Sequence, residues 1–197
     1  MSEILFATNN KHKLEEVRSI LGPDFRVLSL SDVNCTDELP ETRSTFSGNA
    51  EQKARFVFDR VGMSCFADDS GLEVDALNGQ PGVLSARYAG GHGDSQANSR
   101  LLLKNLEGVT NRSARFQTVI AFIGSEGAIH FFEGTIGGTI LNETRGTAGF
   151  GYDPVFVPDG HSRTFAEMSF AEKNTISHRT LATGRLAAYL KEISPLI

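Results

Sequence analysis

The chain holds only two cysteines, Cys35 and Cys65, in 197 residues. They lack metal-ligand spacing and a partner cluster, which argues against a disulfide framework or a thiolate metal site and leaves two reduced core thiols. An excess of basic charge is missing too. The formal net charge is −5 and the pI is near 5.5, so a nucleic-acid polymer is not the expected partner. A small phosphorylated ligand stays open, because it needs only a local patch of Lys and Arg. No apolar run is long enough to span a membrane, and the opening MSEILFATNN has no basic stretch before its short apolar run. The expectation is a cytoplasmic protein without a membrane anchor. Repeats, low-complexity tracts and Pro/Ser linkers are absent, so one domain over residues 1–197 is expected, with no visible boundary.

What is present is an ordinary globular composition, 40% apolar and 22% charged, with room for one core or a core with a lobe attached. Twenty glycines against six prolines point to many turns and close backbone approaches. EILFAT reads as a strand, followed by a helix in NNKHKLEEVRSILG. There Leu14, Val17, Arg18 and Leu21 keep helical spacing until Gly22-Pro23. FRVLSL is a second strand. LPETRSTF is a polar loop leading into SGNAEQKARFVFDRVG, a helix whose Phe46, Ala50, Ala54, Val57 and Val61 form one stripe closed by Gly62. SCFAD and LEVDAL read as two short strands, NGQPG as a turn, and DSQANSRLLLKNL as a helix capped by Asp94. RFQTVIAFIGSEGAIHFFEGTIGGTI reads as a long hairpin turning at Ser125-Glu126-Gly127. The tail carries two helix starts, Ser169 with Glu172 as a capping box and Ser177 as an N-cap. Early strand–helix alternation with a late hairpin predicts a mixed sheet in an α/β or α+β fold.

Four clusters could carry chemistry. TNNKHK, Thr8 to Lys13, lies between a strand and a helix, where free backbone N–H groups and the positive helix end favour phosphate; the alternative is a polar loop that binds nothing. It is not a Walker A loop, since GxxxxGK[ST] is absent. Asp68 and Asp69, with Glu41 from the polar loop, form an acidic group suited to a hard divalent ion. Its structural alternative is a turn at Ser70-Gly71 opened by one of the two aspartates. If both aspartates lie in a strand they face opposite ways and cannot do the same job. In FGYDP, glycines flank Phe150 and leave its ring able to lie on a planar ligand or to plug the core. In EKNTISHR, His178 and Arg179 fall in the first turn of the last helix, where positive charge is locally unfavourable, with Lys173 nearby. Together these four features describe a nucleoside triphosphate pocket.

The segments TNNKHKLEEV, ETRSTFSGNAEQKA, ADDSGLEVDALNGQPGVLSARYAG, GFGYDPVF and AEKNTISHR occur in order along the chain. In them the sequence closely resembles the inosine/xanthosine triphosphate pyrophosphatases, a family of non-canonical purine NTP pyrophosphatases. The resemblance implies an elongated, mixed and twisted sheet with flanking helices and a long hairpin, two lobes around a cleft, and usually a homodimer. It also implies Mg2+-dependent hydrolysis of ITP, dITP and XTP to monophosphate and pyrophosphate.

Carried over by the matching motifs, Thr8, Asn10 and Lys13, with the backbone of Asn9, Lys11 and His12, would hold phosphates. Lys53 and Lys173 would reach the polyphosphate or its surroundings. Glu41 and Asp69 would serve the metal, Asp69 acting also as general base, and Ser70 would contact substrate. Asp68 would face the other side of the strand or support Asp69. Phe150 would stack on the base, Gly151, Tyr152 and Asp153 would line it, and His178 and Arg179 would read its edge. Arg87 would close the pocket. Two departures stand out: Asn9 where many relatives carry glycine, and Gly48 where many carry glutamate.

Overall fold

The computed structural model describes residues 2–91 and 93–193. Five α-helices occur among them: Lys11–Leu21 (α1), Phe46–Val61 (α2), Ser95–Asn105 (α3), Phe170–Ile176 (α4) and His178–Ile193 (α5). The strands are Ser2–Phe6 (β1), Phe25–Leu28 (β2), Cys65–Val74 (β3), Ser113–Ile123 (β4), Ile129–Ile140 (β5) and Phe156–Pro158 (β6). Among the described residues these six form one sheet in the order β2-β1-β3-β4-β5-β6. It is mixed, as expected: β1 runs parallel to β2 and β3, while β5 and β6 are antiparallel. No helix among the described residues is long and apolar enough to cross a membrane.

The chain divides into two compact units. The first takes residues up to Asp69, Thr118–Gly134 and the segment from His178; the second takes Ser70–Gln117 and Thr135–Ser177. In the first unit, alternation along β1 and β3 sends side chains to two faces, each covered by helices. Ile4, Phe6 and Phe66 pack with Val17 and Leu21 of α1 and Ala182, Leu186 and Leu190 of α5. Leu5, Ala7, Cys65 and Ala67 pack instead with Ala50, Ala54 and Val57 of α2. Apolar cover on both faces explains why ILFA and CFA are unbroken apolar runs. Both cysteines are free and buried, and burial lifts the Cys65 thiol to about 12, which keeps it protonated. The second unit has its own core, where Leu72, Val74, Phe116 and Phe156 meet Leu102 and Leu106 of α3.

Capping chemistry sets several ends. Asp94 accepts from the Ala97 N–H at 2.9 Å to start α3, and Ser169 and Glu172 close a reciprocal capping box on α4. One expectation is corrected. SCFAD and LEVDAL are one continuous strand, so no turn interrupts Asp68-Asp69-Ser70-Gly71. Ser177 stands directly before α5, which begins at His178 as expected, and its extended backbone also ends α4, its N–H donating to the Lys173 carbonyl.

Within the first unit α5 lies directly on β5. A Cβ added at Gly134 would stand 2.1 Å from the His178 carbonyl oxygen and 2.6 Å from the Ala182 nitrogen. Both neighbours are backbone and cannot swing aside. Gly134→Ala is therefore expected to destabilise the fold by about 1–3 kcal/mol, measured by urea denaturation; an unchanged midpoint would contradict this contact.

Candidate active site

Strand alternation decides where the aspartate doublet points. Phe66 faces α1 and α5, so Asp68, two residues on, faces the same way; Cys65 and Ala67 face α2, and so does Asp69. On the first face Asp68, 1% exposed, accepts from Lys13 Nζ at 3.0 Å and from Arg179 Nε at 3.4 Å. Arg179, also 1% exposed, donates through Nη1 to Glu16 of α1. Glu16, Arg179, Asp68 and Lys13 thus alternate in sign through the interior. That pattern answers the puzzle of a cation in the first turn of α5: two buried carboxylates outweigh the unfavourable helix end. Burial alone would lower the Arg179 pKa, but Glu16 and Asp68 hold it above the usual arginine range. For Lys13 burial wins over Asp68 and pulls the ammonium below the usual lysine range.

On the second face Lys53 of α2 is only 4% exposed. Its ammonium bonds Glu41 and lies 3.8 Å from Asp69 Oδ1. Asn49, one helical turn earlier, donates to Asp69 Oδ2 at 2.9 Å. Burial raises the Asp69 pKa above the usual carboxylate range, and Lys53 and Lys13 only partly offset that. Glu41 is held below its usual range because Lys53 outweighs burial. Two hard carboxylates converging on one cation suit a Mg2+-type ion, which takes one or two protein oxygens and fills its other positions with water and phosphate oxygens. Among the described residues no cluster of three or more potential metal ligands exists.

The strand–helix junction at the start of the same unit is ordered by its own side chains. Thr8 Oγ1 accepts from the Asn10 N–H at 3.1 Å, and Asn10 caps α1 by accepting from the Lys13 N–H at 3.2 Å. Asn9, Lys11 and His12 are exposed around it. His178 is buried at the start of α5.

The second unit holds the remaining candidates. Asp153 accepts from the Phe150 N–H at 2.9 Å and from Lys173 Nζ at 2.7 Å. Lys173, 4% exposed, also lies over the Phe150 ring, 4.7 Å from its centroid. Gly149 makes this possible: its φ is +73°, and a Cβ there would stand 2.1 Å from Asp153 Oδ2. The loop is tied to α3 as well, Gly151 N–H donating to Ser95 Oγ at 3.2 Å. Tyr152 donates to the Ser85 carbonyl at 2.9 Å, and burial pushes its hydroxyl pKa up. Asn98 grips the segment carrying Arg87 by accepting from Ala89 N–H and donating to the Ser85 and Ala86 carbonyls. Ser70 begins this unit, half-buried in β3.

The model of the Ham1 family matches residues 4–189. This chain belongs to the Ham1 family. It is 53% identical to the dITP/XTP pyrophosphatase of Porphyromonas gingivalis, covering 96% of this chain and 98% of that one. To the protein of the same name from Flavobacterium psychrophilum it is 47% identical, over 96% and 99% of the two chains. Among solved structures it is similar to the Ham1 protein of Staphylococcus aureus, with a TM-score of 0.88, 40% identity and coverage of 97% and 99%. A HAM1 protein from Coxiella burnetii gives the same TM-score at 39% identity, covering 98% and 100%. The mixed six-strand sheet with flanking helices is the fold shared with these Ham1 structures.

Sequence reasoning passed over two residues in this Ham1 chain. Glu16 follows Lys13 by three positions on one helix, and Asn49 sits in the buried stripe beside Ala50 and Lys53; that spacing was the available signal. The buried ion chain gives a direct test. Asp68→Ala leaves Lys13 and Arg179 without a shared carboxylate and is expected to cost about 3–5 kcal/mol of stability by urea denaturation. A loss below about 1 kcal/mol would show that the interior tolerates these cations without Asp68.

Proposed function

We infer that this protein is a hydrolase of nucleotide metabolism that cleaves non-canonical purine nucleoside triphosphates, ITP, dITP and XTP, to the monophosphate and pyrophosphate. What carries the reading is the acid pair, Glu41 and Asp69 set about Lys53, in a chain matched over nearly its whole length by proteins named dITP/XTP pyrophosphatase.

In this reading Thr8, Asn10, Lys13 and the exposed backbone of Asn9, Lys11 and His12 hold the phosphate chain. Lys13 suits the role: a partly buried ammonium with a lowered pKa is stabilised by an arriving polyanion. Glu41 and Asp69 would hold Mg2+, which when bound would screen the negative charge of the polyphosphate. Asp69 accepts the proton of the attacking water, and its raised pKa brings it closer to the operating pH, where a general base works best. Water adds across the α–β phosphoanhydride bond, its oxygen to one phosphorus, and the bridging oxygen leaves with the other. Lys53 favours the ionised form of both carboxylates, outweighing burial at Glu41 and partly offsetting it at Asp69. Ser70 contacts substrate beside Asp69.

Phe150, fixed from behind by Asp153 and Lys173, stacks on the base, with Gly151 and Tyr152 beside it and Arg87 closing over it. His178 and Arg179 donate to the base edge. Hypoxanthine and xanthine present a keto oxygen at position 6, whereas adenine presents an amino donor. Donors facing a donor lose their hydrogen bonds, which rejects adenine. The protein works as a cytoplasmic homodimer, without nucleic acid or membrane as partner.

A steady-state panel of ITP, dITP, XTP, ATP, GTP and dUTP with Mg2+ tests the substrate class. The expected kcat/KM for ITP and XTP exceeds that for ATP by about 100-fold or more, and comparable values would overturn the base preference. Asp69→Asn is expected to lower kcat by about 10²–10⁴-fold with an unchanged circular dichroism spectrum; near-normal turnover would remove Asp69 as the base.

A further inference from the structure

The polar loop before α2 carries Glu41, and three consecutive loop residues meet three side chains of that helix. Glu41 bonds Lys53. Thr42 and Gln52 bond each other twice, Thr42 N–H donating to Gln52 Oε1 at 3.0 Å and Gln52 Nε2 to Thr42 Oγ1 at 2.9 Å. Arg43 N–H donates to Asn49 Oδ1 at 2.8 Å. The loop also lies close on the helix start, because a Cβ at Gly48 would stand 2.9 Å from Arg43 Cβ. Gly48 therefore leaves space that Arg43 uses.

Asn49 is the pivot of this arrangement. It is fully buried, and both ends of its amide are engaged. A backbone N–H on one side requires the amide oxygen there, so the NH2 group must face Asp69. Asn49 thereby bonds both the carboxylate of Asp69 and the strand of loop that bears Glu41. Neither acid is adjacent to it in sequence.

We propose that Asn49, seconded by Gln52, is a positioning residue that sets Glu41 and Asp69 in register for one divalent cation. The inference rests on the assignment of these two carboxylates to the metal. Asn49 touches neither ion nor substrate; it acts by fixing the Asp69 rotamer and the loop backbone beside Glu41. An amide is suited to this work, since it donates to one carboxylate without adding charge of its own. Amides and carboxylates that orient metal ligands typically matter about 10–100-fold in metal affinity or activity.

The test measures Mn2+ binding to the full chain by electron paramagnetic resonance without nucleotide, and separately kcat and KM for ITP with Mg2+. For Asn49→Ala the expected result is a Mn2+ Kd raised about 10–100-fold and kcat lowered by a similar factor, with KM changed less than about twofold. A residue needed only for folding would lower the melting temperature without this split. A folded Asn49→Ala protein with wild-type Mn2+ affinity and kcat overturns the proposal, and so does a loss confined to KM. Should that variant not fold, Gln52→Ala decides: its side chain is only partly buried, and weaker Mn2+ binding supports the proposal while unchanged binding overturns it. The wild-type protein separates the two levels. If it neither binds Mn2+ nor hydrolyses ITP, the metal assignment itself fails; if it does both, only the role of Asn49 is at stake.

Discussion

A charge cannot be taken from water without a partner, and this constraint organises both units of the protein. Removing an ammonium or guanidinium from water costs several kcal/mol, so a buried cation requires a carboxylate at hydrogen-bond distance. Arg179 is answered by Glu16 and Asp68, Lys53 by Glu41 and Asp69, and Lys173 by Asp153. The partners come from segments far apart in the chain, so each pair also fixes elements against one another. The same charges that a phosphate chain or a metal would use are thus part of what holds the protein together.

Strand β3 distributes that constraint. With a period of two, adjacent aspartates must point to opposite faces, and here each face supplies its own cations. Asp68 joins an alternating chain of four charges between α1 and α5. Asp69 stands with Glu41 and Lys53 on the α2 side, where burial raises its pKa above the usual carboxylate range and the nearby ammonium groups only partly offset that. One doublet therefore joins two separate networks, the charge chain of Asp68 on one face and the Asp69, Lys53 and Asn49 group on the other.

Much of this was legible in the sequence, for reasons that can be named. The stripe Phe46-Ala50-Ala54-Val57 announced α2, Asp94 and the Ser169/Glu172 box announced helix starts, and Gly127 with φ +76° marked the hairpin turn. The doublet's division of faces followed from strand geometry alone. The continuity of β3 did not, because Asp-Asp-Ser-Gly has the chemistry of a turn, whereas the strand runs through it between its sheet neighbours β1 and β4. Glu16 and Asn49 escaped notice because Glu and Asn are ordinary on helices. Their roles depend on Arg179, Asp69 and Arg43, whose proximity is a property of the fold.

The most direct measurement is the identity of the products. Phosphorus NMR of ITP turned over by the purified protein with Mg2+ should show inosine monophosphate and pyrophosphate in equal amounts from the first turnovers. Inosine diphosphate with orthophosphate would contradict the account, because it would place cleavage at the terminal phosphoanhydride rather than between the α and β phosphates.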